Sequence, residues 1–284
     1  MKRIFIIALL LSSYFSNAQS TLLSADFWKA NPDLVTVKSE ITKGNSPAEA
    51  NRGNHDVVSI AINNNASLET IIYLIEQEGN SVSKTTHDGR LYIHWAASKG
   101  NLELVNYLIK KGSDINRTDD KGAIALAFAA SNGQVNQKIY EAFFNAGLEV
   151  NYKNANGANF LFMAIGYDKD LALTDYLLSK GLKLTDVDTN GNTVFDYAAR
   201  TGNVDILKQL QKRGVKSTNK ALIFASEGTR SAANNMVFYK YLVEDLKLNP
   251  KSTGDNGENV LHNLVGKKDQ AENVSRETFL LIFR

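Results

Sequence analysis

The chain is 284 residues long, with 32 Lys+Arg against 30 Asp+Glu, three prolines and no cysteine. That length holds one elongated domain or two compact ones, because single hydrophobic cores stop growing at roughly 250–300 residues. A composition of 43% hydrophobic and 22% charged residues suits a chain that buries a core. The missing cysteine excludes a disulfide scaffold, thiolate zinc sites and a cysteine nucleophile, and the near-balanced charge argues against a nucleic-acid binder.

Lys2 and Arg3 precede an uncharged, mostly apolar run from Ile4 to Phe15, followed by Ser16-Asn17-Ala18. This is the layout of a secretory signal peptide over residues 1–18. Its apolar run, about 12 residues, is shorter than the ~20 that span a bilayer. We expect cleavage after Ala18 and a mature chain beginning at Gln19, formally neutral because the leader removes two basic residues and no acidic one. No later segment is long and apolar enough to span a membrane. The expected destination is the periplasm, with the cell exterior as the alternative.

Beyond the leader the chain reads as helix pairs. Leu22–Ala30 and Leu34–Lys43, ending at Gly44, predict a divergent capping pair within residues 19–50, with Pro32 and Asp33 opening its second helix. Val58–Ile62 and Leu68–Gly79 predict the next pair and begin an array that continues from residue 51 to residue 284. From there a period emerges: Gly89, Gly122, Gly157 and Gly191 are spaced by 33, 35 and 34 residues, and Gly257 follows two periods later. Each ends a polar turn rich in Asp and Asn, residues whose side chains close turns. A second glycine (Gly112, Gly147, Gly181, Gly214) lies 23 to 25 residues further on.

Between the two glycines there is room for two short helices. In the clearest unit they are Tyr92–Lys99, stopped by Gly100-Asn101, and Leu102–Lys111, whose Leu104, Val105, Leu108 and Ile109 form one apolar stripe. Neither helix buries its face alone, so the units must stack into a solenoid. Ala221–Ser226 and Met236–Leu246 predict a unit without a turn glycine, stretched by polar Glu227–Asn235. The last unit begins at Asp255-Asn256-Gly257 and ends on apolar Thr278–Phe283 without a closing glycine, which raises the expectation of a longer repeat array.

The pattern resembles ankyrin repeats. The resemblance rests on Asp88-Gly89, Ile93-His94-Trp95-Ala96-Ala97, Gly100-Asn101, Val105-Asn106-Tyr107-Leu108-Ile109 and Gly112-Ser113-Asp114-Ile115-Asn116, repeated in phase in four further copies. It implies an all-α, ankyrin-type helical repeat solenoid of about eight units, the last incomplete. With the leader, it implies an exported bacterial protein of that family. The family's proline after the turn is replaced by Tyr92, Ala125, Phe160, Val194 and Val260. Its histidine survives at His94 and His262 and becomes Ala127, Phe162 and Asp196 elsewhere.

Chemistry is sparse. His94 and His262 occupy the family's structural histidine position, where the imidazole bonds turn backbone. His55 and His87 sit in polar turns without metal-ligand spacing. No catalytic motif or Gly-rich phosphate loop appears. Asp119-Asp120 and Asp186-Val187-Asp188 are read as turn caps or solvated tips, and Trp95, Phe128, Met163 and Tyr197 as fillers of the core between repeats. Neither a cofactor nor a metal is expected.

The resemblance implies a concave face, used to hold protein partners, made of turn tips and the ends of the first helices. Here it includes His87, Asp88, Arg90, Ser98 and Lys99, then Asp120, Lys121, Ser131 and Asn132. Asn156 and Tyr167 follow, then Thr189, Asn190, Asn192 and Arg200, and finally Asp255, Asn256 and Glu258. The expectation is a non-catalytic interaction scaffold that binds protein and not nucleic acid. The alternatives are an accessory part of an enzyme system such as oxidative-stress defence, the N-terminal part of a longer protein with catalysis elsewhere, and a cell-surface adhesion module.

Overall fold

The computed structural model describes residues 20–229 and 234–266. The expected leader (1–18) and the closing apolar helix (278–283) lie outside those residues, as do Arg230–Ala233 of the polar stretch in the stretched unit.

Among the described residues, α-helices follow one another in pairs and the strands are single bridges only. A 3-10 turn, Thr21–Leu23, leads into α1 (Ala25–Lys29) and α2 (Leu34–Thr42) of the first unit. The second unit holds α3 (Val57–Asn63) and α4 (Leu68–Ile75), and the third α5 (Tyr92–Lys99) and α6 (Leu102–Lys110). The fourth holds α7 (Ala125–Ser131) and α8 (Gln137–Asn145), and the fifth α9 (Phe160–Ala164) and α10 (Ala172–Ser179). The sixth pairs α11 (Val194–Ala199) with α12 (Val204–Lys212), and the seventh α13 (Lys220–Glu227) with α14 (Met236–Lys240). The eighth is described through its first helix, α15 (Val260–Gly266).

The odd-numbered helices from α3 onward stack on one another as an inner layer. Small residues such as Ala96-Ala97, Ala129-Ala130 and Ala198-Ala199, all fully buried, let the backbones approach. The even-numbered helices form the outer layer and present buried stripes such as Leu104, Val105 and Leu108 of α6, or Ile206, Leu207 and Leu210 of α12. Tyr140 of α8 and Phe160 of α9 meet edge to face at 6.2 Å, so neighbouring units share one continuous core.

Two expected helices differ in their bounds. Leu22–Ala30 breaks at Ser24, because the chain folds back for buried Trp28 to donate from Nε1 to the Leu22 carbonyl at 2.7 Å. α2 starts at Leu34 as expected, capped by Asp33, which accepts from Thr36 N, so that Pro32 precedes the cap and does not open the helix. The helix expected to reach Gly79 stops at Ile75, where the Asn80 amide and Gln77 N both take the Leu74 carbonyl.

The seventh unit adapts in another way. After Lys240 the chain continues as a π-helix, Tyr241–Asp245, an extra residue accommodated by longer backbone bonding. It then turns through Lys247 at φ 56°, where regular units use a closing glycine. A left-handed lysine is strained by its Cβ. Lys247→Gly is therefore expected to raise stability by about 0.5–1 kcal/mol, net of glycine's greater unfolded-state entropy. Urea denaturation is the check; an unchanged or lower midpoint would refute the strain.

Hydrogen bonds between units mostly run one way: donors of one unit reach main-chain carbonyls of the unit before it. Gln134 Nε2 bonds Ala97 O, Thr201 Oγ1 bonds Gly166 O at 2.8 Å, and Asn234 Nδ2 bonds Arg200 O at 3.2 Å. Asp120 N to Asp88 O and Thr189 N to Asn156 O follow the same direction. His94 Nε2, donating forward to Ala123 O, is an exception.

Candidate partner-binding groove

The polar turns fold into five-residue tips that project beside the inner helices. In four of them the first side chain builds the tip: one oxygen each of Asn51, Asp119, Asn154 and Asp188 accepts backbone N–H groups two and four residues on, at 2.9–3.0 Å. Asp119 and Asp188 are therefore buried turn supports, as expected of caps, whereas Asp120 points to solvent. Asp186 instead accepts from Lys183 N and the Asn159 amide. At Gly157 the tip approaches its neighbour so closely that a Cβ would lie 2.8 Å from Thr189 N, and its φ is +78°. Both conditions require glycine there.

The seventh unit has no such tip, and Lys220 at the start of α13 stands in its place. Its Nζ donates to Asn190 O and to Asp255 Oδ1, both at 2.7 Å, and Asn192 Nδ2 reaches Asp255 Oδ2 at 3.2 Å. The tips of the sixth and eighth units are thereby tied together across the gap. The Lys220 hydrogen bond holds the Asp255 carboxyl below its ordinary range.

Beneath these tips runs a concave groove of about 380 Å³. One wall is made of tip residues, among them Asn156, Asn190, Asn192, Asp255, Asn256 and Glu258. The opposite wall comes from the ends of first helices and includes Ser131, Tyr167, Arg200 and Glu227. The floor is apolar, with Phe162, Met163, Tyr197 and Phe224. Tyr197 packs 5.1 Å from Phe162 and 4.8 Å from Phe224, and the Arg200 guanidinium lies 4.7 Å above Phe224 while pairing with Glu227. Met163 and Tyr197 thus fill the space between repeats, as their shared position suggests, and also form groove surface. Burial pushes the Tyr197 hydroxyl up, as does its 2.9 Å bond to Asp188.

Nine residues read from the sequence as partner-facing line this one groove: Ser131, Asn156 and Tyr167 in the middle, Asn190, Asn192 and Arg200 next, and Asp255, Asn256 and Glu258 at the far end. Five others gather at the third and fourth tips. There Asp88 sits between Arg90, Lys121 (2.6 Å) and His87, and the Lys121 bond holds its carboxyl below the usual range. Arg90 is only 5% exposed. Its Nε donates to Asp119 at 2.9 Å, and its guanidinium lies over Phe128 at 4.1 Å, so it supports the tips from beneath. Asp120 and Lys121 are exposed tip residues. The remaining four lie outside the groove lining: Ser98 and Lys99 end α5, Asn132 caps α7 by donating to Phe128 O, and Thr189 is bonded to Asn156 O.

Sequence reasoning missed Asp188, Thr201, Lys220 and Glu227 as groove residues; Thr201 precedes Gly202-Asn203 as Lys99 precedes Gly100-Asn101, so phase could have flagged it, whereas Lys220 and Glu227 belong to the seventh unit, where only the missing tip could have done so. It also left His55 isolated, whereas its ring stacks on His87 at 4.3 Å and lies 5.5 Å from Trp95. Burial, then the His87 charge, pushes the His55 imidazole down. Among the described residues no cluster of three or more His, Cys, Asp or Glu side chains forms a metal site, and no helix is long and apolar enough to cross a membrane.

The family model for ankyrin repeats matches three times, over residues 30–119, 58–154 and 126–221, and so covers well over half of the chain. The chain belongs to the ankyrin-repeat family. Its ankyrin units are similar to parts of other proteins. The chain is 28% identical to palmitoyltransferase AKR1 of Lachancea kluyveri over 191 residues, 64% of this chain and 25% of that protein. It is 29% identical to phosphocholine transferase AnkX of Legionella pneumophila over 133 residues, 45% of this chain and 14% of that protein. With 26S proteasome non-ATPase regulatory subunit 10 of Rattus norvegicus it shares 33% identity over 58 residues, 20% of this chain and 25% of that one. The chain thus spans a quarter or less of each of these relatives.

Proposed function

We propose that this ankyrin array is a non-catalytic scaffold that docks a protein partner along its concave groove, and that the leader exports it to the periplasm or beyond. The observation that carries the docking reading is that nine of the eighteen residues expected on the concave face line one groove. The groove combines hydrogen-bonding walls with an aromatic floor, the mixture typical of non-obligate protein interfaces. Regular units each add one tip and one helix end to the same face, and the seventh adds Lys220 in place of a tip, so contact area grows by repetition while the stacked core keeps the face preformed.

The test is affinity capture with three baits: wild type, Asn190→Trp, which fills the groove from an exposed tip position, and Asp88→Lys with Lys121→Glu, which reverses the remote tip pair. The expected result is a protein retained by wild type and by the reversed pair but lost by Asn190→Trp. Equal retention by all three would overturn the groove as the docking site. Recovery of Gln19 as the N-terminus of the exported protein is the expected outcome for the leader, and uncleaved cytosolic protein would refute export.

A further inference from the structure

The described lining of the groove carries four carboxylates, Asp188, Glu227, Asp255 and Glu258, against two cations, Arg200 and Lys220. Both cations are already engaged, Arg200 by Glu227 and Lys220 by Asp255. Among the described residues, Asp188 and Glu258 have no cation within ion-pair distance. Asp188 is held entirely by neutral donors: the backbone N–H groups of its tip, the Asn192 amide and the Tyr197 hydroxyl. Beside it, Asn192 is 2% exposed, and its Oδ1 is buried without a hydrogen-bond donor while its Nδ2 serves both Asp188 and Asp255. A buried acceptor left unpaired is costly. Asn192 Oδ1, the Asp188 carboxylate and the Asp255 carboxylate thus form a cluster of acceptors with surplus negative charge, bordered by the ring of Tyr197.

We propose that the docked partner presents an extended segment with a lysine or arginine side chain, whose cation enters this acceptor cluster and whose aliphatic stem lies along Tyr197. The inference rests on the docking reading above and specifies its chemistry. Only a cationic group brings several N–H donors together with the charge the cluster lacks. The aliphatic stems of lysine and arginine cover apolar surface while their heads stay polar, which matches an aromatic floor beneath acidic tips. An acidic segment would meet unpaired carboxylates of its own sign, which disfavours it.

The probe is a set of fluorescein-labelled peptides of equal length, alike except for two central residues that are Lys-Lys, Gln-Gln or Glu-Glu. Binding is followed by anisotropy on the full chain. The lysine peptide is expected to bind about tenfold more tightly than the glutamine peptide, with weakening by salt, and the glutamate peptide least of all. Asp188→Asn with Glu258→Gln removes the uncompensated charges. The tip should survive, because Asn154 builds the equivalent tip with an amide oxygen, and circular dichroism reports whether it does. In that variant the lysine preference is expected to fall to within about twofold. Equal binding of the lysine and glutamine peptides, preference for glutamate, absence of lysine-peptide binding, or a preference surviving in the folded double variant would each overturn the proposal. If these occur while a captured protein still depends on Asn190, the basic segment alone is wrong; if capture is also independent of Asn190, the docking reading falls with it.

Discussion

Arg90→Ala is expected to lower the stability of the array by about 3 kcal/mol, the lower end of what breaking one side of a buried ion pair costs. The repeat pattern places Arg90 among the partner-facing tip residues, yet it is buried between the Asp119 carboxylate and the rings of Trp95 and Phe128. Its removal leaves Asp119, whose side chain is 1% exposed, as a buried charge without its cation and opens a gap over two aromatic rings. The loss stays at the lower end because Asp119 Oδ1 keeps two backbone donors. Arg90→Lys should restore only part of it, since an ammonium cannot both stack flat and bond sideways. Arg90→Met with Asp119→Asn should recover most of it, because an amide oxygen suffices for the tip at Asn154. Urea denaturation of the three variants measures this; Arg90→Ala within about 1 kcal/mol of wild type would contradict the supporting role.

The second large effect is on pH dependence. His94 is fully buried, accepts from Leu91 N at Nδ1, and donates from Nε2 to Ala123 O, which fixes it as a neutral ring. Burial pushes its pKa down to about 4, against roughly 6.5 in an unfolded chain. Between these values the unfolded chain binds a proton that the folded chain refuses. Stability from this group is therefore complete above about pH 6.5 and drains away as pH falls towards 4, by about 3 kcal/mol in all. His94→Gln should cost about 1 kcal/mol at neutral pH through its altered hydrogen bonds, then lose less than wild type on acidification, so that the two stability curves converge and cross. Parallel curves over that range would show that His94 does not titrate in this way.

How far the residues announced all this differs from unit to unit. The third unit is legible because every local signal agrees: the tip glycine, Gly100-Asn101 between the helices and the stripe of α6 mark α5 and α6 to within a residue. The fifth unit is less so. There the glycine-asparagine turn is replaced by buried Asp168, which caps α10 through Thr174 N and Oγ1, and by Leu171 in a left-handed conformation that an apolar β-carbon gives no cause to expect. The tip at residues 51–55 escaped the glycine period because Asn54, not Gly53, holds the positive φ. The site divides similarly. Phase brought the tip and helix-end residues to one face, but residue type misleads about which side chains turn inward. Arg90 and Asn192 occupy the same tip position as Ala158, and like it they are buried, held there by Asp119 in one case and by Asp188 and Asp255 in the other.

The one-way hydrogen bonding between units gives the array a polarity. Carbonyls at the end of a first helix, such as Ala97 O, Gly166 O and Arg200 O, receive donors from the unit that follows. A unit emerging during synthesis therefore has its core partner behind it but the donors for its backbone still ahead, and becomes complete only when the next unit has been made. Deleting the leading unit would strip donors of acceptors they can replace with water, whereas an interruption further along would leave an inner helix with carbonyls open beside its core. Growth of such a stack is a sequence of provisional ends, each sealed by its successor.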